Sequence, residues 1–367
     1  MFSNIYRGKR VLVTGHTGFK GSWLCSWLLE LGAELTGISN EIPTEPSMFK
    51  ALGLENHMNS HFIDVRNKEA VTKVCADTQP DFVFHLAAQA IVSKSYSDPT
   101  DTISTNVMGT ANILEALRIL NKRCIGIIVT SDKCYENVEW PWGYRENDTV
   151  GGKDIYSGSK GAAEVIFHAF HCSFFNKTEH PVKVASARAG NVIGGGDWAQ
   201  DRIVADAMRA WSRSTHVVIR SPDATRPWQH VLEPVGGYLT LGQVLSAKPE
   251  LSGESFNFGP PSDQTYTVKQ LLEDLSLQWG FKDPHDSYRV TDRIPFHEAG
   301  LLKLNCDKAR FSLKWTPTLE YRDTIRLVSE WYVGFYQNQI NMLDKTQEQI
   351  AFYTSKARDR GHIWAQK

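Results

Sequence analysis

The sequence predicts an α/β protein in which a doubly wound parallel sheet carries a smaller mixed α/β domain over one end. Three observations predict it. Short apolar runs of strand length alternate with helix-length stretches through the first half of the chain. A glycine run separates the first strand from the first helix, and after about residue 190 the alternation gives way to loops rich in Gly, Trp and Arg. Repeated strand-helix units with apolar strands imply a sheet covered on both faces, whose ligands bind outside the carboxyl ends of the strands.

Taken in order, residues 10–14 read as the first strand and 19–31 as the first helix. Further strands are expected at 34–39, 61–64, 82–86, 125–130 and 182–187, with helical stretches between them that include 102–120 and 155–175. Residues 1–190 are assigned to the sheet domain, which about 231–253 rejoin. About 191–230 and 254–340 form the smaller domain, and the charged segment 341–367 reads as a tail, either frayed or used as an oligomer contact.

A chain of 367 residues with 41% hydrophobic side chains, 22% charged ones and a net charge of -1 is an ordinary globular composition. That balance gives no footing for nucleic acid, and no apolar stretch approaches a membrane span. The first residues run into a strand without an apolar signal region, so a cytoplasmic location is expected. The 6 cysteines form no C-x-x-C pair and are expected to be reduced.

The glycine run is Gly15-His16-Thr17-Gly18-Phe19-Lys20-Gly21. Following a strand and opening a helix, it is placed to hold a pyrophosphate on backbone N–H groups and the helix dipole. His16 and Lys20 either line the cofactor phosphates or face solvent. Ser39 stands at the end of the second strand, where an acidic residue would take the adenosine ribose. No Arg follows to bind a 2′-phosphate, so NAD is expected in preference to NADP. Asp64 and Val65 either contact the adenine or merely end a strand, and Leu86, Ala87, Ala88 and Gln89 lie along the nicotinamide half.

Two further groups carry the chemistry. Tyr156 and Lys160, four apart, share one helix face, so the ammonium can lower the phenol's pKa and make it a base for a sugar hydroxyl. Ser131, Asp132 and Lys133 end a hydrophobic strand and add an acid and a second titratable group that plain alcohol oxidation does not need. The two groups together suggest dehydration. In the second domain, Arg202 and Arg226 offer planar guanidinium groups for a diphosphate, with Arg293 a third candidate. Trp198 and Trp228 either stack on a base or belong to the core. His297 and Glu298 are placed to close the nucleotide pocket. His168 and His171 lie three apart on a helix with no third ligand apparent, so no metal is expected.

Gly15-x-x-Gly18-x-x-Gly21, Asp64, His85-Leu-Ala-Ala, Asn106 and Tyr156-x-x-x-Lys160 occur in the order shown by the extended short-chain dehydrogenase/reductases that act on nucleotide-sugars, and nearly the whole chain resembles that family. The blocks Gly15-His-Thr-Gly-Phe-Lys-Gly-Ser-Trp23, Thr130-Ser-Asp-Lys-Cys-Tyr135, Asn191-Val-Ile-Gly-Gly-Gly-Asp-Trp198 and Arg226-Pro-Trp-Gln-His-Val-Leu-Glu-Pro234 are similar to members that act on CDP-D-glucose. The resemblance implies a Rossmann-type sheet, Asn106 in the NAD site and Asn191 at the sugar diphosphate. It further implies oxidation at C4 with Tyr156 as base, loss of water across C5 and C6 with Asp132 as acid, and return of the hydride to C6. The product would be CDP-4-keto-6-deoxy-D-glucose, destined for deoxysugars of a bacterial surface polysaccharide, and the assembly a homodimer or homotetramer paired through residues 102–120 and 155–175. Related dehydratases carry Thr-Asp-Glu where this chain has Ser131-Asp132-Lys133. Lys133 then either takes the C5 proton, once desolvated, or positions water or substrate while another group does.

Overall fold

The computed structural model describes residues 1–261, 264–291 and 301–366. Seven strands make one parallel sheet: β1 Arg10–Thr14, β2 Glu34–Ser39, β3 Asn59–Phe62, β4 Phe82–His85, β5 Cys124–Val129, β6 Val182–Ala189 and β7 Ser255–Phe258. Their order is β7-β6-β5-β4-β1-β2-β3. The chain runs outward from β1 to β3 and then returns to lay β4 on the other side of β1. That reversal opens a crevice beyond the carboxyl ends of β1 and β4, where ligands of such sheets bind.

The strands alternate their side chains between two cores. Val11, Val13, Phe82, Phe84, Ile125 and Ile127 face one core, and Leu12, Val83, Ile128, Val182 and Val184 face the other. On the second face lie α2 Lys68–Thr78, α3 Gly109–Arg118 and α4 Ile155–Phe170, which bury Val71, Ile113, Leu117 and Phe167 there. The first face takes α1 Phe19–Glu30, with Trp23, Trp27 and Leu28 fully buried.

Beyond β6 the chain builds a second layer over the crevice. Helix α5 Ile203–Trp211 precedes α6 Leu232–Ala247, which packs on β5 and β6 of the sheet. Helices α7 Val268–Trp279 and α8 Tyr321–Val333 pack on one another. Three two-stranded pairings tie the loops together: Val192–Ile193 with Gln229–His230, Thr225–Arg226 with Tyr266–Thr267, and Val217–Ile219 with Tyr288–Val290. Among the described residues no helix is long and apolar enough to cross a membrane, and all six cysteines are free.

Several boundaries differ from expectation. The third strand ends at Phe62 instead of Asp64, because the Asp64 carboxylate turns back to accept the Arg66 N–H at 2.8 Å. β7 lies just beyond the boundary expected at residue 253; Gly253, at φ +89, turns the chain into it. The helices expected over 102–120 and 155–175 contain wider π-turns at Ser104–Met108 and His171–Phe175. The segment read as a tail is α9 Met342–Asp359, capped by Asn341 and docked on α1 with Ile350, Tyr353 and Ala357 buried.

Candidate active site

A cleft of about 1900 Å³ lies across the carboxyl ends of the strands. It is roughly twice the largest ordinary small-ligand site, room for two ligands side by side. Its floor is the turn from β1 to α1. Gly15 has φ +74, and a Cβ there would come within 2.8 Å of the Ala87 nitrogen. A Cβ on Gly21 would sit 2.0 Å from the Gly15 carbonyl oxygen, so both positions demand glycine. Gly18 caps α1 without a side chain, leaving the first-turn amides to face the cleft beside Thr17, Phe19 and Lys20.

His16 does neither of the two things expected of it. Its ring is buried beneath β2, with Nδ1 bonded to the Ser39 hydroxyl at 3.0 Å and Nε2 to the Ser60 hydroxyl at 3.1 Å. Room for it exists because residue 37 is glycine: a Cβ there would lie 2.3 Å from the ring. Burial pushes its pKa down to about 4, so it serves as a neutral strut holding Ser39. Lys20 turns inward among Arg202, Asp132, Lys160 and Asp197, and burial lowers its pKa to about 8. It lines the cleft and is half-buried there.

Asp64, Val65 and Arg66 line the end of the cleft next to β2 and β3. Arg66 Nε lies 2.9 and 3.0 Å from the two Asp64 oxygens, and this bond holds the carboxyl below its ordinary range. Sequence reasoning missed Arg66, although a cation two residues past an acid at a strand end was a usable signal. Leu86, Ala87, Ala88 and Gln89 form the adjacent wall. Asn106, which the resemblance put in the NAD site, lies behind that wall: Oδ1 accepts the Gln89 N–H at 2.8 Å, while Nδ2 donates to the Gln89 carbonyl at 3.1 Å and the Ser159 hydroxyl at 2.8 Å. The π-turn at Ser104–Met108 includes Asn106, which there ties this wall to α4.

Ser131, Asp132, Lys133, Tyr156 and Lys160 all line the same cleft. Asp154 caps α4 by accepting the Ser157 N–H at 2.9 Å, and Tyr156 and Lys160 follow on one face. Burial raises the Tyr156 pKa, opposed by the neighbouring Ser131 hydroxyl and by Arg202. Burial also takes Lys160 down to about 8. Ser131 donates to Asp132 Oδ1 at 3.0 Å and accepts the Lys133 N–H at 3.3 Å. Asp132 is 4% exposed, and burial raises its pKa against the pull of Lys133, Ser131 and Lys20. A carboxyl whose pKa is raised by burial is the better placed of the two groups to donate a proton. Lys133 lines the same cleft.

On the opposite wall stand Asn191, Trp198, Arg202, Arg226 and Trp228. Trp198 is mainly core: its ring packs on Trp331 and Phe335, and Nε1 donates to the Tyr336 hydroxyl at 2.8 Å, leaving one edge on the cleft. Trp228 is 7% exposed. Arg202 Nε lies 3.6 Å from Asp197, and Arg226 Nη1 donates to the Thr225 carbonyl at 2.9 Å. Arg293, His297 and Glu298 lie outside the described residues. Among the described residues no group of three His, Cys, Asp or Glu side chains could hold a metal ion; His168 Nε2 lies 3.5 Å from the exposed Cys172 sulfur.

A family model described as GDP-mannose 4,6 dehydratase matches residues 12–328. A CDP-glucose 4,6-dehydratase of Salmonella typhimurium is 43% identical over 355 residues, 96% of this chain and 98% of that protein. A CDP-paratose 2-epimerase of Salmonella typhi is 25% identical over 349 residues, 88% of this chain and 98% of its own. Among solved structures, the UDP-glucose 4-epimerase of Thermotoga maritima with UDP-glucose superposes with TM-score 0.75 at 24% identity, over 89% of this chain and 99% of that one. DesIV, a dTDP-glucose 4,6-dehydratase of Streptomyces venezuelae with NAD and TYD bound, gives TM-score 0.75 at 18% identity, over 90% of this chain and 100% of its own. At these identities the superpositions establish a shared fold.

Proposed function

We propose a function from the premise that the chain belongs to the GDP-mannose 4,6 dehydratase family: it is an NAD-dependent lyase that converts CDP-D-glucose to CDP-4-keto-6-deoxy-D-glucose and water. The observation that carries the reading is that Tyr156, Lys160, Ser131, Asp132 and Lys133 line one cleft with the glycine turn. The 43% identity to the Salmonella typhimurium CDP-glucose enzyme, over almost the full length of both, supports the choice of substrate.

The glycine turn fits the pyrophosphate of NAD, since a methyl group at Gly15 or Gly21 would fill the space the backbone needs. NAD supplies, when bound, the acceptor for the C4 hydrogen and its donor at C6, and so is regenerated each turnover. The chain's own groups move the protons. Tyr156, which lines the cleft with Ser131, takes the proton of the 4-hydroxyl, and the Ser131 hydroxyl then holds the 4-oxygen. The ketone acidifies C5–H; Lys133 removes that proton and gives it back to C5 when the hydrogen reaches C6. Asp132, whose pKa burial raises, acts as the acid that gives a proton to the departing 6-hydroxyl. Arg202 and Arg226 hold the diphosphate, with Asn191 beside them and Trp228 at the base.

Exposed apolar side chains on the packed helices around α4, at Ile103, Met108 and Val165, support a homodimer formed through that face. The same reading puts the reaction in the cytoplasm, upstream of deoxysugar assembly for a surface polysaccharide.

NMR of the product from CDP-glucose deuterated at C4 tests the proposal, with the dTDP, UDP and GDP sugars run beside it. Deuterium at C6 of a 4-keto-6-deoxy product, with CDP-glucose preferred, is the expected result. A product epimerised at C4 would make the protein an epimerase. In Lys133→Met, exchange of C5–H with solvent is expected to stop while C4 oxidation persists; unchanged exchange would assign the base elsewhere.

A further inference from the structure

We propose that the buried Glu164–Arg188 ion pair is a positioning device for the elimination of water, an inference that rests on the dehydratase reading. Glu164 stands four residues past Lys160 on α4, so Tyr156, Lys160 and Glu164 descend one helix face. Its carboxylate collects four donors. One oxygen accepts from the Thr130 hydroxyl. The other accepts from Ser186 at 2.9 Å, Ser255 at 3.2 Å and Arg188 Nη2 at 2.8 Å. Arg188 uses its second nitrogen, Nη1, to reach the Tyr135 hydroxyl at 2.8 Å and the Glu146 carbonyl at 3.1 Å. Its guanidinium also lies over the Tyr135 ring, 4.9 Å from the centroid. The Tyr135 hydroxyl in turn donates to Asn257 Oδ1 at 2.8 Å.

Thr130 immediately precedes Ser131, and Tyr135 follows two residues after Lys133. One ion pair therefore grips both ends of the segment that carries the acid and the proposed C5 base. Glu164 and Arg188 are each 4% exposed and stand behind the cleft wall, so they act on the reaction only through the residues they hold. A buried ion pair is a poor source of net stability because both charges must be desolvated. Here both carboxylate oxygens and both terminal guanidinium nitrogens have partners, with only Arg188 Nε left without one, and such a network fixes a single geometry. Elimination needs that geometry more than oxidation does: the acid and the base both ride on the gripped segment and must meet C6 and C5 together, whereas C4 oxidation takes only the Ser131 hydroxyl from it, its base Tyr156 being carried by α4.

Thr130→Val and Tyr135→Phe each release one grip without unpairing a buried charge, and both are measured beside the wild-type protein. Exchange of C5–H with solvent is expected to slow by about tenfold or more, the scale of a small misplacement. Single-turnover C4 oxidation, followed by absorbance of the reduced nicotinamide, and KM for CDP-glucose should stay within about twofold. Thr130→Ser, which keeps the hydroxyl, should recover the exchange rate. Wild-type exchange in both Thr130→Val and Tyr135→Phe, or an equal slowing of oxidation and exchange, would overturn the inference. A wild-type protein that oxidises C4 without ever losing water would instead sink the dehydratase reading, and the inference with it.

Discussion

The two walls of the cleft are built by different means. On the wall assigned to the cofactor, the surface is largely backbone: Gly15 at φ +74, the capless first turn of α1 and the Leu86–Gln89 loop, all fixed by strands that pair over four or five residues. Opposite, side chains do the work: Arg202, Arg226, Trp228 and Asn191 come from loops pinned by pairings of only two or three residues. A backbone wall tolerates changed side chains and fails when a Cβ intrudes. A side-chain wall fails one contact at a time.

The largest loss is expected between the walls. Tyr156→Phe should slow C4 oxidation by roughly a thousandfold, the scale of a lost general base, with nucleotide binding retained. A variant that still reduces NAD at the wild-type rate would remove Tyr156 from that role. Next, Gly21→Ala forces the turn apart, since its Cβ would lie 2.0 Å from the Gly15 oxygen. Calorimetry should show NAD affinity reduced by about a hundredfold or more with CDP binding intact, and retained affinity would break the backbone account of that wall. Arg226→Gln should do the converse, raising KM for CDP-glucose by roughly ten- to a hundredfold, the worth of one charged hydrogen bond, while NAD binding is unchanged.

The smallest effect is expected away from both walls. Glu233 on α6 accepts the Thr318 and Leu319 N–H groups at 2.8 and 2.6 Å, and the Tyr353 hydroxyl at 2.9 Å. Burial nonetheless raises its pKa from 4.5 to about 7. The folded state thus binds a proton that the unfolded chain releases between those values, so stability falls as pH rises from 4.5 to about 7 and is level above it. Glu233→Gln removes that slope, worth about 1–3 kcal/mol. Equal pH dependence of Tm in the two proteins would refute the titration.

The same contrast explains what the sequence made legible. Strands buried on both faces announce themselves as apolar runs, and the glycine turn and the Tyr-Lys pair are local spacings, so the sheet, the cleft floor and Tyr156 with Lys160 were readable. β3 is an exposed edge with a weak apolar pattern, and its limits were misplaced. In α9 the charged residues mark only the solvent side; Ile350, Tyr353 and Ala357, at helical spacing, were the signal passed over. His16 and Asn106 carry family spacing, yet they act behind the wall through Ser39 and Gln89, partners 23 and 17 residues away in the chain. Glu164 was within reach: it continues the Tyr156 and Lys160 face by one more turn.

Trp198 and Trp228 both border the cleft. Indole emission overlaps the absorption band of reduced nicotinamide, so the protein carries its own optical clock. Its fluorescence should dip while the electrons taken from C4 reside on the cofactor and recover when they pass to C6, timing the two halves of the cycle without a label.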